Sequence, residues 1–545
     1  MIGRGKGAFT LQSKTQVQNF MRGAMLITMA QLVTKLLGAV HRPAAQAMIG
    51  DTGLALATPP SYAYYIILAI SSVGLNVAIS RLVSERLALE DYRGARRVFH
   101  VASVMLVISG LVFSLLFGFG AKWMASLFHM PEAWLGFAAL APALFLVSVL
   151  CVFRGLYQGM QQMQPSAMSQ VVEQLARVSI SLVLIAALAQ EIHWGAAAFN
   201  AGNTIGIGMA VLYFIWVYLK QRPTANWATT APGVASYEHA SVSLLLGKIL
   251  AIAAPLALMG AVLPIMGLAD SAIVINRLMA IGVPEHLAEQ AQAWLSNAGT
   301  LRDLPTILTT ALYISLVPAI AESVATNQME QARYRTGTAF RLTFLIGLPA
   351  TVALLVSGRD VYSILYTGSG WTVMSPLALS CIFMMVQQTS SGALQGMGRI
   401  WTSVRNMLTG VAVKVLLTWW WTGLPGHREN GAAYATVVGF LVAAALQLVA
   451  LRQYMGFRIN WRGDAVKPLA ASAMMGVAIW GASLAVHRVI HSPRLAGLIV
   501  VAVGAAVYLV AVLAVGGITM ADIGLIPGFP QRGVLLLRRY RLLRG

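Results

Sequence analysis

The sequence has 545 residues, of which 58% are hydrophobic and only 10% are charged, and its mean hydropathy is +0.72. These values exclude a soluble globular protein, because soluble domains are about 45–50% apolar and about 25% charged. The net charge of +20 is explained by basic cytoplasmic loops and a basic tail near anionic lipid, so we predict no nucleic-acid partner. The sequence shows no Walker lysine motif, Ser/His/Asp arrangement or metal-ligand spacing, so we predict neither an enzyme, nor a metal site, nor a cofactor.

Apolar segments of roughly 20 residues recur along the whole chain, and each is long enough to cross about 30 Å of hydrocarbon as a helix. They lack the ten-residue alternation of outer-membrane barrel strands. We therefore predict an all-α polytopic membrane protein with about 14 transmembrane helices. The segments centre near residues 33, 72, 112, 147, 178, 207, 255, 308, 346, 384, 412, 443, 478 and 506.

The distribution of the 38 Lys and Arg residues predicts the orientation. With fourteen crossings and an inner N-terminus, the inner segments hold 27 of them, the outer loops hold 6 and the spans hold 5. Cytoplasmic loops carry the excess of Lys and Arg in membrane proteins. Both termini are therefore predicted to be cytoplasmic. Cys151 and Cys381 fall within apolar spans and are interpreted as small packing residues.

An internal repeat divides the chain into two halves. Residues 154–178 align with 391–415 at an offset of 237, and residues 78–85 align with 319–326 at an offset of 241. Both pairs lie in predicted cytoplasmic loops, which indicates parallel six-helix lobes that rock about a central path. The predicted boundaries are 1–220 for the N-terminal lobe, 221–240 for a cytoplasmic linker, 241–457 for the C-terminal lobe, 458–517 for two further helices and 518–545 for a basic cytoplasmic tail.

Charged residues inside the spans are the candidates for function, because inserting one at a helix centre costs roughly 2.5–3.5 kcal/mol. Lys35 and Arg42 are seven residues apart, so they share one face if the helix stays regular, and Pro43 is expected to bend or open it. Facing a lumen, two fixed cations suit an anionic head group such as a phosphate or pyrophosphate. The alternative is that Lys35 snorkels or pairs with an acid of a neighbouring helix.

Three more cations lie within the spans. Arg302 adjoins Asp303, and adjacent helical residues point about 100° apart, so one is expected to face the cavity and the other a partner helix. The alternative is an arginine held by a carboxylate purely for packing. Arg177 has Glu173 four residues earlier, which favours a structural ion pair, whereas Lys414 has no acid nearby in the sequence and is a second-lobe candidate. The other structural or coupling candidates are Asp270 and Asp51.

Several segments carry a resemblance to a known family. "LLGAVHRPAAQAMIGDTGL", "SQVVEQLARV" and "LQGMGRIWTSVRNMLTG" resemble the polysaccharide-biosynthesis and sporulation-protein-B branch of the multidrug/oligosaccharidyl-lipid/polysaccharide exporter superfamily. This branch includes lipid II flippases. The similarity runs from about residue 20 to residue 460.

The resemblance implies two six-helix lobes forming a V, with a basic cavity that binds a lipid-linked pyrophosphate oligosaccharide. The resemblance also implies that, as in the lipid II flippases of this branch, essential cations lie on the first, second and eighth helices. By motif, Lys35 takes the first of these positions, and the next basic position falls at His41 or Arg42. The second-helix arginine has no counterpart here, and Arg302 is the cation nearest to the matching place on helix eight, at Thr300.

We therefore expect a flippase that moves an undecaprenyl-pyrophosphate-linked cell-wall precursor, most of all lipid II, across a bacterial cytoplasmic membrane by alternating access. Its partners would be the lipid-linked oligosaccharide and membrane lipids. It would act as a monomer, coupled to the membrane potential or to a monovalent cation. The alternatives are a flippase for another lipid-linked polysaccharide, a cation-coupled multidrug exporter, and a scaffold for cell-wall assembly. The first helix has no acid before Asp51, which argues against the exporter.

Overall fold

The computed structural model describes residues 5–70, 74–221 and 236–516. These residues form seventeen α-helices and no β-strand. In the first half the helices are α1 (Gly5–Leu68), α2 (Gly74–Ala88), α3 (Tyr92–Phe119), α4 (Ala121–Leu127), α5 (Trp134–Gly159), α6 (Met163–Leu188), α7 (Ile192–Gln221) and α8 (Val242–Ala280). In the second half they are α9 (Glu285–Asp303), α10 (Thr306–Ala325), α11 (Met329–Val356), α12 (Gly358–Leu365), α13 (Met374–Gly396), α14 (Ile400–Thr422), α15 (Glu429–Met455), α16 (Lys467–Val489) and α17 (Pro493–Ala514).

Eleven helical segments of the described ranges are long and apolar enough to cross a membrane. The prediction of an all-α, multi-pass membrane protein is confirmed. The count of about fourteen is not, because the segments predicted near residues 33, 72 and 412 are not among the eleven. The first two fall in or beside the long helix α1, and the third coincides with α14, whose Arg405 and Lys414 lower its hydropathy.

Helix α1 is interrupted at a glycine and not at a proline. Gly50 has φ 69° and ψ −175°, the non-helical backbone geometry inside α1. A positive φ of this kind is available to glycine at no steric cost. Pro43 lies inside α1 where the backbone keeps helical angles, so the helix is not opened there, although the proline ring removes one backbone donor. Lys35 and Arg42 therefore lie on one regular helical face, two turns or about 10 Å apart.

The chain divides into two compact units, Met1–Leu268 and Ala269–Gly545. The division falls within α8. Most of the linker predicted at 221–240 lies outside the described residues, and so does the tail predicted at 518–545.

The two units repeat one helical arrangement. Gly159 ends α5 and Gly396 ends α13, at the same offset of 237 that relates the aligned sequences. Both glycines allow a close helix crossing: a Cβ at Gly159 would lie 2.8 Å from the Cβ of Val83 in α2, and one at Gly396 would lie 2.6 Å from the Cβ of Ile320 in α10. The apolar core of the first unit joins α2, α3 and α5 to the start of α8. The matching core of the second unit joins α10, α11, α13 and α15.

Candidate intramembrane ionic site

Each unit buries a cation at the same position of the repeat, Arg177 in α6 and Lys414 in α14. Glycines of the next helix explain the burial. A Cβ at Gly206 would lie 2.9 Å from the Cβ of Arg177, and a Cβ at Gly439 would lie 2.7 Å from the Cβ of Lys414. The side chains of Arg177 and Lys414 are consequently only 15% and 1% exposed. A cation buried to this extent requires a partner, because its desolvation is otherwise uncompensated.

In the first unit, the carboxylate of Glu173 is shared by two arginines, Arg177 and Arg154. Arg177 Nη2 lies 2.7 Å from Glu173 Oε1, which is the i,i+4 pair expected from the spacing. Arg154 Nη2 lies 2.9 Å from the other carboxylate oxygen of Glu173, and Arg154 Nε donates to Ser169 Oγ at 3.1 Å. Arg154 is missed by the sequence reasoning, which assigns it to a loop. The feature that could have indicated this contact is the tight turn after Gly159, which folds α5, with Arg154, back against α6.

The adjacent basic residues His41 and Arg42 of α1 differ in burial. His41 is 5% exposed, its Nε2 lies 2.9 Å from Ser181 Oγ, and its ring stacks on Phe199 at 4.6 Å. Arg42 is half-buried and donates from Nη2 to Thr58 Oγ1 at 3.2 Å. His41 therefore packs between α1, α6 and α7, and the side chain of Arg42 is the more exposed of the two.

Other polar residues of α1 lie to either side of this position. Lys35 is exposed and precedes Arg42 by two turns on the same face. Asp51 follows the break at Gly50, and its Oδ1 accepts a hydrogen bond of 2.6 Å from Gln46 Nε2. This hydrogen bond from Gln46 uses part of the acceptor capacity of the Asp51 carboxylate.

We call Arg42, Arg154, Glu173 and Arg177 the first-unit cluster. Arg42 follows His41 in α1, and His41 contacts Ser181, which lies one turn after Arg177 in α6, so Arg42 and Arg177 lie in one neighbourhood. Three arginines and one glutamate give this cluster a formal charge of +2. Fixed guanidinium groups in a low-dielectric setting attract an anion strongly, and arginine can bind phosphate oxygens through two parallel hydrogen bonds.

In the second unit, each of the two candidate cations, Lys414 and Arg302, forms an ion pair with an acid. Lys414 Nζ forms an ion pair with Asp270 Oδ1 of α8, a residue 144 positions earlier. Arg302 Nε and Nη2 lie 2.8 Å and 2.7 Å from Asp303 Oδ1. The side chain of Arg302 is 10% exposed and that of Asp303 is 44% exposed, so the two neighbours differ in burial although they form an ion pair. The contact itself is the one expected from the alternative, an arginine held by the adjacent carboxylate, and which of the two faces a cavity stays a prediction.

We call Asp270, Arg302, Asp303 and Lys414 the second-unit cluster. Arg302 lies over Phe440 and Lys414 packs against Gly439, so both cations contact α15 at adjacent residues and the two ion pairs are neighbours. The guanidinium of Arg302 lies 5.4 Å from the ring centroid of Phe440. Two cations and two anions give a formal charge of zero, so this cluster serves packing better than it serves anion capture. In the described part of the chain, no group of three or more His, Cys, Asp or Glu residues could hold a metal ion.

Known proteins are similar to this chain in sequence and in fold. Stage V sporulation protein B of Bacillus subtilis is 27% identical over 91% of this chain and 95% of its own length. The lipid II flippase MurJ of the same organism is 23% identical over 94% of this chain and 98% of its own length. Among solved structures, an inward-facing multidrug resistance MATE transporter of the MOP superfamily superposes with a TM-score of 0.64 at 15% identity, covering 79% of this chain and 98% of the transporter.

The family model described as polysaccharide biosynthesis protein matches residues 20–324. This range runs from within α1 almost to the end of α10, and it includes the whole first-unit cluster and the Arg302 and Asp303 pair. The match covers more than half of the chain, and the relatives extend over nearly all of it. The chain belongs to the polysaccharide biosynthesis protein family.

Proposed function

We propose that this protein is a flippase that moves an undecaprenyl-pyrophosphate-linked cell-wall precursor, lipid II in the first place, across the bacterial cytoplasmic membrane by alternating access. The observation that carries the proposal is the difference between the two clusters. The first-unit cluster has a formal charge of +2, whereas the second-unit cluster is neutral. A surplus of guanidinium groups within the membrane suits the pyrophosphate of a lipid-linked glycan.

The relatives support this class of cargo. The name of one of them states that it flips lipid II, and the family is described by polysaccharide biosynthesis. Another lipid-linked polysaccharide unit is the second candidate, because it presents the same pyrophosphate to the same cations. The difference between the two lies in the sugar.

A cation-coupled drug exporter is disfavoured, although the fold is shared with MATE transporters. Such an exporter needs an acid in the first unit that can bind a cationic drug or its coupling ion. Glu173 is instead bound by two arginines, and Asp51 accepts from Gln46. Releasing Glu173 from its arginines would leave buried charges without partners, which is strongly unfavourable.

Rescue of a bacterial cell depleted of its own lipid II flippase tests the cargo. Expression of the native chain is expected to restore growth and rod shape, whereas the double variant Lys35→Ala/Arg42→Ala, expressed at the same level in the membrane, is not. Failure of the native chain to rescue, together with binding of a different pyrophosphate-linked glycan by the purified protein, would assign the cargo to the second candidate. Rescue by the double variant would contradict the role given to these cations.

The proposed topology has both termini in the cytoplasm, so the C-terminal tail marks the side of the membrane from which the cargo starts. Moving a pyrophosphate dianion outward along a potential that is negative inside is favoured by about 2.3 kcal/mol per charge per 100 mV. In proteoliposomes sorted by protease access to the C-terminal tail, flipping away from the tail side is expected to accelerate when that side is made negative with a potassium gradient. An unchanged rate would exclude the potential as the driving force, and a rate that follows a sodium or proton gradient would identify ion coupling instead.

A further inference from the structure

A groove of about 610 Å³ runs along the side of the first unit, between α3 and the beginning of α8. It is separate from the first-unit cluster, which lies on α1, α5 and α6. One wall is a single face of α3, and the other is formed by Val242 and Leu246 of α8. The α3 wall consists of Arg97, His100, Val101, Val104, Met105, Ile108, Ser109, Val112 and Phe113.

The apolar part of the groove has the length of one membrane leaflet. From Val101 to Phe113 the helix rises about 18 Å at 1.5 Å per residue. One leaflet contributes half of a hydrocarbon core that is about 30 Å thick, or roughly 15 Å. Val104 and Ile108 are each 58% exposed within this stretch, so the groove leaves apolar surface open along its length. A hydrocarbon chain lying parallel to α3 would cover that surface.

The basic end of the groove offers binding capacity for an anion. Arg97 lines it one turn before Val101, the start of the apolar stretch, and His100 lines it directly before Val101. The Nε atom of Arg97 is buried and has no hydrogen-bond acceptor among the described residues. The neighbouring acids are engaged elsewhere: Asp91 accepts from Gly94 N and Tyr237 N, and Glu238 pairs with Arg93 at 3.2 Å. This end of the groove is therefore electropositive.

We infer that the groove binds a phospholipid with an anionic head group, its phosphate on Arg97 and His100 and one acyl chain along Val101–Phe113. The combination of a leaflet-long apolar channel and a cationic end complements an amphiphile of that shape and charge. With the N-terminal end of α3 in the cytoplasm, as proposed above, the lipid comes from the inner leaflet, whose surface is rich in anionic lipid. The inference does not depend on which glycan the protein carries.

Native mass spectrometry of the full chain, released from detergent micelles, tests the site. The protein receives equal amounts of phosphatidylglycerol and phosphatidylcholine with identical acyl chains. The native chain is expected to retain phosphatidylglycerol preferentially, and Arg97→Gln is expected to lower that preference by about fivefold, the effect of one basic group near the head group. Arg96→Gln is the matched control, because Arg96 is exposed beside Arg97 but does not line the groove.

A second pair of variants tests the apolar channel. Val104→Trp fills the groove and is expected to reduce retained phosphatidylglycerol, whereas Val107→Trp, at an exposed position of α3 outside the groove, is not. Arg97→Lys is expected to keep the preference, and equal melting temperatures of all variants show that the fold is intact. Equal losses for Arg96→Gln and Arg97→Gln, or for the two tryptophan variants, would mean unspecific annular lipid and overturn the inference. Displacement of phosphatidylglycerol by undecaprenyl pyrophosphate in an Arg97-dependent manner would also overturn it, since the occupant would then be cargo.

Discussion

Replacing Lys414 with methionine is expected to lower the free energy of unfolding by about 3–5 kcal/mol, because it leaves the carboxylate of Asp270 buried without its cation. The side chain of Lys414 is 1% exposed and that of Asp270 is 16% exposed, so water cannot take over the lost contact. The measurement is denaturant unfolding of the purified chain in mixed micelles. Asp270→Leu is expected to destabilise by a similar amount, since it strands Lys414 in the same way.

The double variant Lys414→Met/Asp270→Leu is the decisive control. When both charges are removed together, no unpaired charge stays buried, and exchanging such a pair for apolar side chains of similar volume is often neutral or stabilising. Most of the lost stability should therefore return. Additive losses in the double variant would contradict a coupled pair. A single variant as stable as the native chain would show that the pair is not buried in the folded protein.

The sequence predicts most of the helices well, because each helix is indicated by residues that lie close together in the chain. Apolar runs and their period define most of the helices, and the repeat around Gly159 and Gly396 marks the same helix end in each unit. The interruption of α1 is predicted less well. Pro43 is the conspicuous residue in the sequence, but the backbone departs from helical geometry at Gly50, where a left-handed φ is required.

The candidate site depends on contacts between residues far apart in the chain, and these leave weaker signals. The pair of Arg177 and Glu173 follows from an i,i+4 spacing on one helix. The pair of Lys414 and Asp270 spans 144 residues, and no periodicity within a single helix indicates it. The repeat shows that Lys414 is equivalent to Arg177, but not that its partner comes from another helix. The sequence alone therefore does not show which acids and cations are in contact, and the net charge of each cluster follows only from the structure.

Replacing Arg42 with glutamine is expected to weaken binding of lipid II by the purified chain by about 10- to 100-fold. A hydrogen bond to a charged group contributes about 1.5–3 kcal/mol, and each 1.4 kcal/mol corresponds to a factor of ten in the dissociation constant. Arg42 is partly exposed, and glutamine keeps a donor for Thr58 Oγ1 while removing the charge. The measurement is a binding isotherm with lipid II in micelles, repeated over a range of salt concentrations.

Two variants separate the charge of Arg42 from its place in the fold. Arg42→Lys keeps the charge but loses the guanidinium fork, so we expect an affinity between those of the native chain and Arg42→Gln. Lys414→Met/Asp270→Leu removes an intramembrane cation together with its acid and is expected to leave the affinity for lipid II unchanged. If that double variant weakened binding as much as Arg42→Gln, the cargo site would include the second-unit cluster. Since a neutral cluster offers a pyrophosphate no surplus of positive charge, we expect the first-unit cluster alone to respond.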